Sequence, residues 1–320
     1  MQKNILVFGV TSSIFGSIIQ YLRSNGEWLF DIRFLYPPIR KLDELTQNQT
    51  RARFFINEHP MLFQEYTPEF SDKVSVIMDF STAPLKDYDE LIQGLKGVKY
   101  LIETSSLAAE SGAVNANTPY AIKMRENEEY AKSLSDKMTV RIIRLALTLP
   151  TLCFNLKPRR ISLERDLCEP GEDDESIIQW NSLSDENLAK LLLSDLKDLP
   201  DAFLNKPSMC VTTCNSIAEY FLKFFAYLSF GDEPVSPSLQ KIILPRDRIV
   251  IVNICSTFEI DRRGIFALIN DSEIFQVPKI PHKFDAETIT IPGDILFDEF
   301  KLEIQSHAVN IKANLKARQI

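Results

Sequence analysis

Glycine is scarce in this chain, with ten residues in 320, which leaves few positions for motifs that need a bare backbone. Histidine is scarcer still: His59, His282 and His307 are the only three. None lies near Cys210 and Cys214 in sequence, so that pair is not expected to hold a metal, and buried or half-buried thiols are expected instead. With Cys153, Cys168 and Cys255 the cysteines make an odd set of five in no tight framework, which fits a reducing cytoplasm. A basic excess is also absent. Lys and Arg number 36 against 44 Asp and Glu, the formal charge is −8 and the pI is near 5.1, so a general nucleic-acid binder is excluded. No apolar run approaches the roughly 20 residues that span a bilayer, which excludes a membrane partner of that kind. No basic region followed by a cleavable apolar segment opens the chain, so no signal peptide is expected. Internal repeats and low-complexity tracts are missing too.

What is present is ordinary for a soluble globular protein: 45% hydrophobic and 25% charged residues. The length suffices for a large core in one large domain or two. Residues 4–22 organise the chain. Ile5 to Phe8 form an apolar run suited to a strand buried on both faces, and Gly9 ends it. Thr11, Ser12 and Ser13 make a small polar patch, after which Ile14, Ile18, Ile19 and Leu22 recur at helical spacing. Strand, tight glycine turn and helix N-terminus bring backbone N–H groups and the positive end of a helix dipole beside a phosphate. Any α/β protein can also begin with such a turn, so the turn alone leaves both readings open.

Further strands are expected at residues 30–36, 52–56, 73–79, 97–104 and 139–146, with helices at 39–46, 87–95 and 119–132. Asn25 and Gly26 close the first helix as a C-cap does; Thr118 and Pro119 open the long one as cap and first-turn residue. Residues 105–112 read as a small-residue loop. Strands alternating with helices imply a parallel, doubly wound α/β sheet. Ligands bind beyond the C-terminal strand ends of such sheets, here Gly9, Tyr36, Asp79, Ser105 and Leu145. Residues 151–206 change character to surface loops and short helices, with a solvated acidic run at 169–175. A short strand is expected at 210–214, a further strand at 248–254 and a helix at 262–270. Residues 216–228 carry five aromatics over more than one helix face, which reads first as core and second as a partner interface. Residues 294–316 show helical spacing.

The order of these features resembles the extended short-chain dehydrogenase/reductase family, especially its nucleotide-sugar epimerase and dehydratase branch. The turn at Gly9 resembles the family's glycine-rich loop. Thr104, Ser105 and Ser106 resemble its serine-bearing strand end. Pro119, Tyr120 and Ala121, with Glu128 and Glu129 later, resemble its tyrosine helix, and residues 140–145 with Arg144 resemble the strand that follows. Residues 210–218 resemble the entry to the substrate region, and Ile251 to Ile254 the late strand where the chain returns. The likeness runs over nearly the whole chain, carried by order and spacing. It implies a Rossmann-like dinucleotide-binding domain over residues 1–150. Residues 151–320 become mainly a substrate-binding region, with segments 208–228 and 248–270 returning to the sheet. It implies NAD or NADP as cofactor, held by Gly9, Thr11, Ser12, Ser13, Ile14, Arg40 and Asp79. The implied substrate is a nucleotide-linked sugar or similar small molecule. Ser106 and Tyr120 meet the substrate oxygen, Tyr120 moves the proton while the nicotinamide takes or gives a hydride, and Lys123 is the lysine beside the tyrosine. The resemblance also implies a homodimer built on helices 87–95 and 119–135.

The chain departs from the family's pattern at four places. Ser12 and Phe15 stand where glycines admit the pyrophosphate and let the helix pack on the strand; Gly16 matches the last glycine only after an insertion. Tyr36 and Pro37 end the second strand where NAD-binders commonly carry an acid, while Arg40 and Lys41 beyond it suit a 2′-phosphate. Met124 stands one helical turn after Tyr120 in place of lysine, and Lys123 is rotated about 100° from that position. Counting back from Gly112 puts Leu107, not Ser106, at the usual serine place. A competing register takes residues 75–79 as the third strand, 97–104 as the fourth and 139–146 as the fifth, and removes Tyr120 from catalysis. The first register keeps the family's spacing from Ser106 to Asn253 and is preferred. Three functions follow: an NAD(P)-dependent epimerase, dehydratase or reductase with a degenerate active site; a catalytically impaired relative with a structural or regulatory role; and a sensor that binds NADP(H) without turnover.

Overall fold

The computed structural model describes residues 3–10, 12, 14–16, 18–19, 32–38, 56, 60–81, 83–110, 117, 119–149, 209–213, 217, 221, 247–256, 259–260 and 287–291. Its strands are β1 (Lys3–Phe8), β2 (Ile32–Tyr36), β3 (Phe63–Glu65), β4 (Val74–Asp79), β5 (Tyr100–Ser106), β6 (Thr139–Leu145), β7 (Leu147–Leu149), β8 (Met209–Thr213), β9 (Ile249–Ser256), β10 (Glu259–Ile260) and β11 (Glu287–Ile291). Eight of them form one sheet in the order β11-β9-β6-β5-β4-β1-β2-β3, and every pairing in it is parallel. The fold is a doubly wound, Rossmann-like α/β sheet. β7, β8 and β10 make a separate three-stranded sheet.

The central strands are apolar runs because both their faces are covered. β1 is buried from Asn4 to Phe8, and β6 from Val140 to Leu145. Parallel register alternates the side chains between two layers. On one face Leu6, Ile77, Leu101, Val140 and Ile142 pack with Leu85, Ile92, Ala131, Leu134 and Met138. These last come from the β4–β5 and β5–β6 crossovers, whose helices are α1 (Asp89–Gln93) and α2 (Pro119–Ser133). α2 starts on Pro119, whose ring presets the first-turn φ, and its inner stripe is Ala121, Met124, Asn127, Glu128 and Ala131. On the other face the helical residues 14–16 and 18–19 bury Phe15, Ile18 and Ile19.

Strand order decides between the two registers. β4 pairs with β1, and the partner of β2 on its outer side is β3. Val74–Asp79 is therefore the fourth strand of the large sheet, Tyr100–Ser106 the fifth and Thr139–Leu145 the sixth. The chain runs outward from β1 to β3, then crosses to the other side of β1. The switch point lies at the carboxyl ends of β1 and β4.

Several expectations are corrected. The third strand of the large sheet is Phe63–Glu65, an edge strand that buries only Phe63; of the strand expected at 52–56, Ile56 is helical and residues 52–55 lie outside the described residues. Ser105 and Ser106 belong to β5 rather than to a loop. Residues 87–95 form a 3-10 turn, Leu85–Tyr88, continued by the short α1. Of the segments expected to return to the large sheet, β9 joins it, whereas β8 pairs with β7 and β10 in the small one. In the aromatic segment 216–228, Ile217 and Phe221 are helical and buried. The C-cap at Asn25 and Gly26, the cap at Thr118 and the helices expected at 39–46 and 262–270 lie outside the described residues, as do residues 151–206 and 294–316.

Candidate functional site

Gly9 ends β1 with φ +74°, a left-handed conformation that glycine adopts without strain. A Cβ there would stand 2.5 Å from the Ser81 nitrogen and 2.6 Å from the Phe80 carbonyl carbon. The loop leaving β4 thus lies directly against the turn leaving β1, an approach that the Phe80 N–H bond to Phe8 O at 2.9 Å also fixes. Ser12 closes the turn by donating its N–H to Gly9 O at 2.8 Å, and Ser12 O accepts the first helical bond from Gly16 at 2.9 Å. The Ile14 amide precedes that bond and has no acceptor within the helix. Bare glycine, tight turn and helix start together fit a phosphate-bearing group at the switch point.

Phe15, in the third-glycine place, turns inward and is fully buried. Its ring meets Phe34 at 5.3 Å and Phe63 at 6.1 Å, both edge-on, and Phe80 at 5.3 Å. Phe221 extends the cluster from Phe80 at 5.3 Å. The ring fills the layer between helix and sheet, the space a glycine there leaves for close helix–strand packing.

The second half of the site gathers at the carboxyl end of β5. Ser106 is half-buried, and its Oγ accepts the Ala108 N–H at 3.2 Å, capping the turn Leu107–Ala109. α2 runs back over β5 and over that turn, which brings its first residues to the same edge of the sheet as Ser106. Tyr120 and Lys123 are both half-buried on α2. Met124, in the lysine's place, is only 2% exposed and belongs to the helix's inner stripe. Ile14 and Ser12 are half-buried at the Gly9 turn, while Thr11, Ser13 and Arg40 lie outside the described residues. Asp79 is enclosed, its Oδ1 accepting the Ser81 N–H at 2.7 Å.

Beneath α2 lies a buried polar layer. Glu128 receives the Arg144 guanidinium as a fork, at 2.8 Å to each oxygen, and the Ser105 hydroxyl at 2.7 Å. Glu110 stands 3.7 Å from Arg144 and accepts Asn253 Nδ2 at 3.4 Å. The network ties β5, β6, β9, α2 and the turn after β5 into one unit. Asn127 holds the crossover after β4, accepting the Leu85 N–H at 3.0 Å and donating to Ala83 O at 3.2 Å. Glu103 and Glu110 escaped the sequence reading. Their signal was a charge placed within or directly after an otherwise apolar strand. Among the described residues no cluster suits a metal ion, and no helix is long and apolar enough to cross a membrane.

No protein-family model matches the chain, and no curated protein matches its sequence. Solved structures do match over nearly its full length. A UDP-glucuronic acid 4-epimerase from Bacillus cereus, in complex with a fluorinated UDP-glucuronic acid and NAD, is 12% identical with TM-score 0.54, covering 97% of this chain and 99% of that one. The Bordetella bronchiseptica enzyme WbmF in complex with NAD+ is 11% identical with TM-score 0.54, covering 99% and 94%. Gre2 of Candida albicans in complex with NADPH is 11% identical with TM-score 0.52, covering 97% and 99%. The chain has the fold of these structures.

Proposed function

We propose that this protein binds NAD or NADP and acts on a nucleotide-linked sugar or similar small molecule as an epimerase, dehydratase or reductase. The observation that carries the reading is the turn at the switch point. Gly9 at positive φ, pressed by the Phe80–Ser81 backbone, leads into a helix start at Ser12 in a sheet of Rossmann order. Gly9, Thr11, Ser12, Ser13 and Ile14 hold the pyrophosphate, with Asp79 bracing the loop beside them. Glu65, register partner of Tyr36 at the end of β2, and Arg40 beyond it offer opposite charges to the ribose, the first suiting NAD and the second a 2′-phosphate. The cofactor, when bound, supplies or accepts a hydride. The Ser106 hydroxyl holds the substrate oxygen, the Tyr120 phenol moves its proton, and Lys123 is the cation on that turn of α2. The Rossmann-like domain takes in residues 1–150 together with β9 and β11, and the rest is mainly the substrate region. A homodimer through α2, which exposes Ile122, follows the same reading and is tested by sedimentation.

Mass spectrometry of the purified protein should reveal a copurified dinucleotide, or millimolar NAD(H) or NADP(H) should raise Tm. Absence of both defeats the reading. A second reading, an impaired relative that keeps the nucleotide for assembly or regulation, rests on Met124 in the lysine's place alone. Tyr120→Phe separates the two. A drop in turnover of about 100-fold or more is expected of an active enzyme that loses its acid–base group.

A further inference from the structure

Two buried carboxyls, Glu103 and the Asp79 that braces the loop beside the Gly9 turn, stand together in the sheet without a proton-transfer role in the proposed chemistry. Asp79 and Glu103 are register partners on β4 and β5, so their side chains leave the same face of the sheet side by side. Each is 1% exposed. Among the described residues no N–H or hydroxyl completes a hydrogen bond to Asp79 Oδ2 or to either oxygen of Glu103. Tyr88 faces the pair from the 3-10 turn, and Asn127 and Glu128 face it from α2. The Tyr88 ring stacks on Phe8, and its hydroxyl is pushed up to about 12 by burial and by the charges of Asp79 and Asp87. Asn127 bonds to Leu85 and Ala83, and its amide also lowers the Glu103 carboxyl, by less than burial and the Asp79 charge raise it. Glu128 is an anion held by Arg144, whose guanidinium is taken up by Glu128 and Glu110. No cation pairs with Asp79 or Glu103 among the described residues.

Two bare carboxylates in such a place repel each other in a dry interior, and one proton both removes the repulsion and supplies the missing donor. We propose that Asp79 and Glu103 share a single proton, and that this proton latches the loop after β4 against the Gly9 turn. With the proton in place the Glu103 O–H donates to Asp79, whose Oδ1 clasps the Ser81 N–H at 2.7 Å. Ser81 and Phe80 are the backbone that walls the Gly9 turn. Loss of the proton sets two charges side by side on adjacent central strands. The Ser81 N–H favours the charged Asp79 and holds on to it, so the repulsion is relieved by parting the ends of β4 and β5, which carries the Ser81 wall away from the Gly9 turn together with Asp79. The latch exists whether or not a dinucleotide occupies the turn.

Burial raises both groups, Asp79 from 3.8 to about 6, and Glu103 well above 4.5 with the Asp79 charge adding to the effect of burial. Raised acids bind more protons folded than unfolded. Their stabilisation is complete below the unfolded values and is lost as pH rises through the folded ones.

Urea unfolding of the full chain from about pH 5 to about pH 9 tests the latch, comparing the native protein with Glu103→Gln. The folding constant of the native protein should fall with rising pH, by up to about tenfold per pH unit for the shared proton. Glu103→Gln donates an amide N–H to Asp79 without titrating, so its slope should be smaller by that share. Equal slopes overturn the proposal. Should the variant fail to fold, isotope-edited infrared spectroscopy of the native protein decides. A protonated-carboxyl band at neutral pH should vanish at high pH together with faster exchange of the Phe80 amide, which bonds the wall to Phe8 O. Absence of the band, or its loss without change at Phe80, overturns the proposal.

Discussion

Two constraints meet at Gly9: a positive φ, and a neighbouring backbone closer than any Cβ tolerates. Gly9→Ala should therefore cost about 1–2 kcal/mol from the left-handed backbone alone, with the displacement of Phe80 and Ser81 added to it. The checks are urea unfolding and, in the same sample, loss of dinucleotide binding. Arg144 is the other residue on which a local prediction rests. It is 8% exposed and is the cation between the buried Glu128 and Glu110. Arg144→Met leaves two enclosed carboxylates without their counter-charge, and a loss of about 3–5 kcal/mol is expected in chemical denaturation. Changing Glu128 to Leu in the same chain should recover part of that loss, because a matched apolar replacement removes one of the stranded charges.

At the scale of elements, Phe15 couples the first helix to β2 and β3 through Phe34 and Phe63. Phe15→Ala should cost about 3–5 kcal/mol in unfolding free energy, as expected for emptying a buried aromatic site. α2 offers the complementary test. Met124→Lys places a lysine four residues after Tyr120 but puts its ammonium into the stripe that packs on the sheet. Burial there depresses the lysine's pKa, so the unfolded chain binds the extra proton more readily. The variant should lose stability as pH falls from about 10 towards neutrality, a slope opposite in sign to that of the carboxyl pair, measured by urea unfolding across pH. The long helix and the central strands were legible beforehand because each carries its own period: a capped inner stripe in α2, continuous apolar runs in β1 and β4. β3 was not, since an edge strand with one buried residue in three has no pattern to read. Ser105 resembled a loop residue by composition, and only the Glu128 carboxylate above it explains why it is buried within a strand.

On the scale of the whole molecule, the large sheet is completed by distant chain. β9 lies beside β6 along most of its length, and Asn253 reaches Glu110 from there. A fragment ending at residue 150 would leave the β6 edge open in an all-parallel sheet, with Arg144 and Glu110 short of a neighbour. It should lack a cooperative urea transition by circular dichroism and should aggregate, whereas the full chain unfolds cooperatively. The sequence by itself determined the alternation of strand and helix, the glycine turn at the end of β1 and the start of α2 at Pro119, because these depend on neighbours a few residues apart. Tertiary structure alone decided which strand follows which across the sheet, where Phe15 goes, and that Asp79 and Glu103 stand side by side. These are consequences of parallel register, which joins residues that local sequence cannot bring together.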